Sequence, residues 1–335
     1  MKRKCLAIGI ILLFIGTTII PTTAQKIEKS SSSSSRGNWL YVGGSGPGNY
    51  TTIQDAMSNA TDGDTIFVYS GIYTTLTIRK SLTIIGENES TTIIDGNGSD
   101  GVVAIEANDV NLYGFTIQNG GWGLSIQQRT NVTVSDIILN NNNLAIFHWW
   151  DRNTLLENVT FINNDGGISL WDVQNCTITH CVFNHAGISH NGFSPSAHGS
   201  LYIQNNLFTN DSCISTDYLV IESHGITTIE SNIFKNNACP LLFMNGDGIT
   251  ILKNNFINNT QNVQLEKSTF LWEVPFHLTY HQHWKNNYWS DWDQTGFYKI
   301  RGTWYVGNVY LYIKLHFREY DLNPAKEPYD IPGIN

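Results

Sequence analysis

The chain has 335 residues, a mass of 37.6 kDa and a formal net charge of −9. Charged residues make up only 14%, aromatics 12%, and there are 37 Asn and 29 Gly. Ample aromatics with little charge exclude a disordered chain. The scarcity of Glu, Lys, Ala and Leu excludes a helix-rich one. No Lys/Arg cluster lies beyond the first four residues, which argues against a nucleic-acid partner.

Lys2, Arg3 and Lys4 precede an apolar run from Leu6 to Ile20, and Thr22-Thr23-Ala24 supplies small residues for cleavage. Residues 1–24 therefore read as a signal peptide. The alternative is an uncleaved anchor, because the run is close to the shortest that spans a bilayer. Cys5 precedes the apolar run, which argues against a lipoprotein. The expected location is secreted or cell-surface, with the membrane reached only through an uncleaved segment. Cleavage would remove three basic residues and no acidic ones, lowering the formal charge from −9 to −12. Residues 25–37, with serine at every position from Ser30 to Ser35, form a flexible linker.

Residues 38–80 read as an N-terminal cap and first turn. Ile53, Ala56, Met57 and Ala60 fall on one helical face. Thr51 and Gln54 have the spacing of a capping box. Asp62-Gly63-Asp64 stops the helix; a calcium site there is the alternative. Thr65 to Tyr69 is a strand, and Ser70-Gly71 a turn.

Residues 81–292 repeat. Ile117, Leu139, Phe161, Phe183, Phe208, Phe234 and Phe256 are separated by 22, 22, 22, 25, 26 and 22 residues. Leu112, Val134, Leu156, Ile178, Ile203, Ile229 and Ile251 keep the same steps five residues earlier. A leucine-rich repeat needs L-x-x-L-x-L spacing, which is absent. Short alternating runs of β-branched residues between Asn, Gly and Asp fit an all-β, single-stranded right-handed parallel β-helix of about nine or ten turns, stacked about 4.8 Å apart. The Phe series becomes a core stack and the Asn positions become hydrogen-bonded ladders at the bends. The helix near 52–60 covers the N-terminal end, since open strands invite edge pairing.

The stretch YVGGSGPGNYTTIQDAMSNATDGDTIFVYSGIY, followed by SLTIIGENESTTIIDG and GFTIQN, resembles the opening of exported β-helix proteins of the NosD-like and carbohydrate-binding (CASH-type) families. These are related in fold to pectate lyases. NNYWSDW at 286–292 resembles a NosD-like end-of-helix motif, and PAKEPYDIPG resembles tails of archaeal surface proteins of this kind. The resemblance covers roughly residues 40–292. It implies the β-helix fold and leaves activity open, because one fold hosts many functions.

Residues 293–335 read as a C-terminal β cap and tail. Val309, Leu311, Ile313, Leu315 and Phe317 alternate with polar residues, predicting a strand with one buried face, paired with Tyr298 to Tyr305.

Four groups of residues are candidates for chemistry. The 22-residue step sets Trp149 on Trp171, with Gln127 one turn earlier, and His148, Trp150, Asp151, Asp172 and Arg129 close by. Trp149 and Trp171 would form a platform for polysaccharide or surface glycan; the alternative is that they fill the core. Arg129, Asp151 and Asp172 are the candidates for a lyase or glycoside hydrolase, but Asp151 maps to Val173, so the two carboxylates are out of register. His277, His281 and His283 share parity and could bind copper or zinc; the NosD-like resemblance implies a role in copper handling. Cys213 and Cys239 lie five residues after Phe208 and Phe234, placing them on adjacent turns as a disulfide or as packed thiols. Cys176 and Cys181 read as core. The sequence assigns no cofactor; calcium and copper are the candidates. The functional expectation is an exported protein that binds polysaccharide along one face. The alternatives are a polysaccharide-cleaving enzyme, a copper-handling accessory protein and a passive scaffold.

Overall fold

A computed structural model describes residues 37–192, 199–210, 212–218, 226–244, 248–269, 281–307 and 312–334. The expected signal segment, and the linker apart from Gly37, lie outside these residues. The described chain is a right-handed parallel β-helix of about nine turns with a single short helix.

Three parallel sheets run along the solenoid. The first starts at Trp39–Val42, Thr65–Val68 and Thr83–Gly86 and ends at His283–Lys285. The second runs from Gly71–Tyr73 to Tyr288–Trp289. The third runs from Leu76–Ile78 through Leu144–Trp149, Gly166–Trp171, Ile188–Gly192, Ile214–Tyr218, Leu241–Met244 and Val263–Thr269 to Tyr298–Gly307. Both sequence series set the register. Leu156 pairs with Val134 and Ile178, and Phe183 pairs with Phe161 and Phe208. Inside, Phe161, Phe183, Phe208, Phe234, Phe256, Trp289 and Tyr298 form one column, with ring centroids 4.5, 4.4, 5.0, 5.0, 4.2 and 4.0 Å apart. Stacked aromatic pairs add about 0.5–1.5 kcal/mol each beyond the area they bury.

In the earlier turns the bend between the first two sheets holds Phe115, Ile137, Val159 and Cys181. From Asn206 onward each such bend would leave backbone groups buried without partners. Asn206, Asn232, Asn254 and Asn287 satisfy them. Asn254 Nδ2 donates to the carbonyls of Ile229 and Leu252 and to Asn287 Oδ1. Its own Oδ1 accepts from Asn232 N at 2.9 Å and Asn232 Nδ2 at 3.0 Å. Donation thus runs one way along the ladder, and its last member needs a pure acceptor. Asp321 is that group: its Oδ2 accepts from Asn287 N, Asn287 Nδ2 and Trp289 Nε1. A second ladder, through Asn142, Asn164, Ser212, Asn237 and Asn259, serves the next bend.

The N-terminal end is covered by the helix Ile53–Asn59, with Ile53, Ala56 and Met57 buried. Its cap is Thr52 with Asp55, one residue later than the Thr51–Gln54 spacing predicts. Asp55 N donates to Thr52 Oγ1, and Thr52 Oγ1 donates to Asp55 Oδ2. Asp62 accepts the Ser81 N–H, and Asp64 accepts those of Thr61 and Asn38. The Thr61 and Asn38 bonds hold the Asp64 carboxyl below the usual carboxylate range against the effect of its burial. The segment is a helix-stop turn.

At the other end Tyr298–Gly307 pairs antiparallel with Tyr312–Asp321. The expected buried face is corrected in part. Ile300, Trp304 and Val306 are buried, yet Ile313 and Leu315 are 60% and 45% exposed. The outer strand is an edge of the sheet, and only its last residues, with Glu319 and Asp321, lie over coil residues. Val309 and Leu311 lie outside the described residues.

Asn254→Ala would remove the bonds given to the Ile229 and Leu252 carbonyls and the one accepted from the Asn232 N–H, with the Leu252 carbonyl keeping only Ser231 N. It should destabilise the protein by at least about 2 kcal/mol, whereas Asn111→Ala, on the exposed surface, should stay within about 0.5 kcal/mol. Denaturant unfolding followed by circular dichroism checks both.

Candidate polysaccharide-binding face

The middle turns of the third sheet carry the candidate site. Alternation along Leu144–Trp149 turns Ile146 and His148 inward and Phe147 and Trp149 outward. Gly166–Trp171 repeats this with Ile168 and Leu170 inside and Ser169 and Trp171 outside. The register sets Trp149 beside Gln127 on one side and Trp171 on the other, as the 22-residue step predicts. Trp149 is 38% exposed and Trp150 51%, while Trp171 is half-buried, its Nε1 donating to Ser169 Oγ at 2.9 Å.

Trp150 ends the strand in the left-handed region, φ 57°, between Gln128 at 57° and Asp172 at 50° one turn to either side. At the solenoid's other bends this conformation falls mostly to Asn, as at Asn131, Asn153 and Asn175. A bulky residue is strained there, at a cost of about 1–2 kcal/mol. Asp172 fixes the indole, accepting from Trp150 Nε1 at 2.9 Å. The Trp149 and Trp150 rings lie 5.8 Å apart, tilted by 45°. Trp122 and Phe147 extend the surface, stacked at 5.4 Å. Sequence spacing did not find this pair, because strand register sets Trp122 against Leu144 and the contact is diagonal.

His148 and Asp151 do not reach this surface. Both are buried, at 0% and 1% exposure. His148 Nδ1 lies 3.1 Å from Asp151 Oδ2, and Nε2 has no partner. Asp151 also accepts from Trp149 N at 3.1 Å and Arg129 N at 2.9 Å. Its carboxylate clamps the backbone on which the two Trp stand. Asp172 is also buried, so the two carboxylates do not form a facing pair on the surface. His190, two strands on from His148, is inward as well. Burial pushes its pKa down to about 4, against the opposing pull of the Asp172 carboxylate.

The other candidates are dispersed. Cys213 and Cys239 are unbonded thiols. An extra residue in the bend after Phe234 sets Ile214 on Leu241, so Cys213 faces Pro240 and the two cysteines are offset by one. Burial, then the neighbouring Cys239, pushes the Cys213 thiol up to about 12. Cys176 and Cys181 are core residues, as expected. His277 lies outside the described residues. His281 and His283 are exposed, with His281 Nδ1 3.7 Å from Glu319 Oε1. Among the described residues no three His, Cys, Asp or Glu side chains are grouped to hold a metal.

Trp39, Tyr41, Phe67 and Tyr69 make a second outer aromatic cluster at the start of the first sheet, with centroids 5.1–6.5 Å apart. Its signal in the sequence is the i, i+2 pairing of aromatics on two strands.

A family model described as right handed beta helix region matches residues 83–218. Among solved structures, an alginate lyase from Paenibacillus is 12% identical, with a TM-score of 0.50 over 64% of this chain and 90% of that one. A pectin methylesterase from carrot is 14% identical, with a TM-score of 0.44 over 68% and 84% of the two chains. A pectate lyase is 14% identical, with a TM-score of 0.45 over 70% and 76%. At these identities the likeness is one of fold. No curated protein sequence matches.

His190 stays neutral in the folded chain down to about pH 4, while in the unfolded chain it takes a proton near pH 6.5. Its contribution is complete above about pH 6.5 and is lost as pH falls toward about 4, by up to about 3 kcal/mol. His190→Gln should lose less stability than the unaltered protein across that window, measured by urea unfolding at a series of pH values.

Proposed function

We propose that this chain is an exported or cell-surface β-helix that binds polysaccharide along the outer face of its third sheet. Trp149, Trp150 and Trp171 are the platform, extended by Trp122 and Phe147, with Gln127 as a polar contact. The observation that carries the reading is Trp150. A solvent-exposed indole occupies a strained left-handed position and is fixed by a buried carboxylate. The left-handed backbone costs this indole about 1–2 kcal/mol, whereas Asn takes the same conformation at lower cost at most other bends. Flat apolar rings beside a few polar groups suit the C–H faces and hydroxyls of sugars. Polysaccharide-acting enzymes such as the alginate lyase share the fold, which fits the same ligand class.

Binding is favoured over cleavage by the state of the carboxylates. Asp151 is enclosed and engaged by His148, Trp149 and Arg129, and Asp172 by Trp150. Neither stands free as an acid or base toward a ligand on the aromatic face. Export rests on the basic start and apolar run of residues 2–20.

Trp149→Ala/Trp171→Ala should weaken retention on an immobilised polysaccharide by at least about 30-fold, the loss of a pair of interface anchors, and should shift Tm by no more than about 3 °C. Released oligosaccharide from the unaltered protein would show an enzyme instead. A large fall in Tm would mark these indoles as structural and overturn the platform.

A further inference from the structure

We propose a second binding site, for an anionic polysaccharide, on the outward face of the C-terminal ribbon and the groove beside it; it stands whether or not the Trp face binds sugar. Residues 37–335 contain only 13 Lys and Arg. Four of them, Lys299, Arg301, Lys314 and Arg318, lie on this one face, all exposed, with His316 among them. They are scattered over 20 residues of sequence and meet only because the two strands pair.

Arg301 is directly opposite Arg318 in the antiparallel register. Like charges facing each other across a sheet are destabilising. Among the described residues none of the four cations has a carboxylate within ion-pair distance. Lys314 Nζ instead lies 5.8 Å over the Tyr305 ring. The acids of the ribbon, Glu319 and Asp321, are buried on its other face, where they hold Trp284, Asn287 and Trp289. Glu266, next to Thr303 on the adjoining strand, accepts from Gln264 Nε2 at 2.9 Å. The face is thus a cationic island on an acidic protein, its repulsion uncompensated until an anion arrives.

The groove identifies the anion. It is a cavity of about 880 Å³ running past Trp292, Phe297 and Tyr298 to Lys299 and Arg301. Asp291 and Asp293 line it too. Asp291 accepts from Tyr298 Oη and Asn262 Nδ2, each at 3.0 Å. Asp291 and Asp293 can accept bonds from sugar hydroxyls, which a polysaccharide presents on every residue and oligo-dT or a phosphatidylserine surface does not. Aromatic rings, hydroxyl acceptors and a forked pair of guanidinium groups together match a chain of acidic sugars. The site also continues the Trp face. Trp171 leads through Asn191, Asp217, Met244 and Glu266 to Thr303, five strand spacings or about 24 Å along the same sheet.

Calorimetric titration of the full chain with alginate, and with alginate whose carboxyls are esterified with propylene glycol, tests the site at low and moderate salt. The unaltered protein should prefer alginate, and salt should erode the preference. Arg301→Gln/Arg318→Gln should weaken alginate binding by about tenfold, or about 1.4 kcal/mol, leave the ester unchanged and keep or raise Tm. Lys314→Gln, at a single exposed position, should give a smaller loss in the same direction. The proposal is overturned if the double variant binds alginate as the unaltered protein does, if alginate and its ester bind alike, or if oligo-dT or phosphatidylserine vesicles bind as tightly as alginate. Arg-dependent alginate binding without retention of the ester or of neutral polysaccharide would support this site while removing the Trp face.

Discussion

The later turns of this solenoid depend on satisfying the backbone at their bends. A coil of 22 to 26 residues must turn three times, and each turn points peptide groups into a core that water does not reach. Asparagine solves this because one side chain carries both a donor and an acceptor. Placed on successive coils, it bonds the backbone of one turn and hands a hydrogen bond to the next. The direction of donation then fixes what the end of the ladder must be. Asp321 meets that need with a carboxylate, so the C-terminal ribbon is tied to the coil by the same interaction that builds the coil. The stacked Phe column adds apolar burial to a frame already in register.

The frame decides where chemistry can sit. Inward positions are filled by stacked side chains, and a polar group placed there is enclosed. His148 and Asp151 show this: one strand places His148 inside and Trp149 outside, and Asp151 folds back beneath both. Outward positions are free of packing demands and repeat every turn, so a single residue type becomes a row along the axis. The two Trp of the third sheet exploit that repeat. Trp150 occupies a bend position in the left-handed region, a local backbone cost set against its bond to Asp172 and its contact with Trp149.

Much of this architecture is legible in the amino-acid spacing itself. The Phe and Ile series give the register residue for residue, because a solenoid converts sequence spacing directly into strand pairing. Trp149 over Trp171 follows from the same arithmetic. The inward fate of His148 and Asp151 does not, since a period of 22 says which residues are neighbours but not which way they point. The offset of Cys213 and Cys239 is hidden by a single added residue in one bend. The exposure of Ile313 and Leu315 escapes because alternation marks two faces without saying whether a core lies beneath either. Least visible of all is the basic face of the ribbon. Lys299, Arg301, Lys314 and Arg318 form no run in the sequence and are assembled only by antiparallel pairing.

Charge is distributed along the third sheet in a way that net charge conceals. The middle turns present aromatic rings and few charges; the terminal ribbon concentrates cations on the same side of the sheet. The central claim is that this sheet's outer face, rather than the first sheet's or the core-facing polar groups, receives polysaccharide. A crystal structure of the full chain with its tightest-binding oligosaccharide tests it most directly. The account predicts sugar rings lying over Trp149, Trp150 and Trp171. Sugar seated on the first sheet at Trp39, Tyr41 and Phe67, with the third sheet bare, would contradict it.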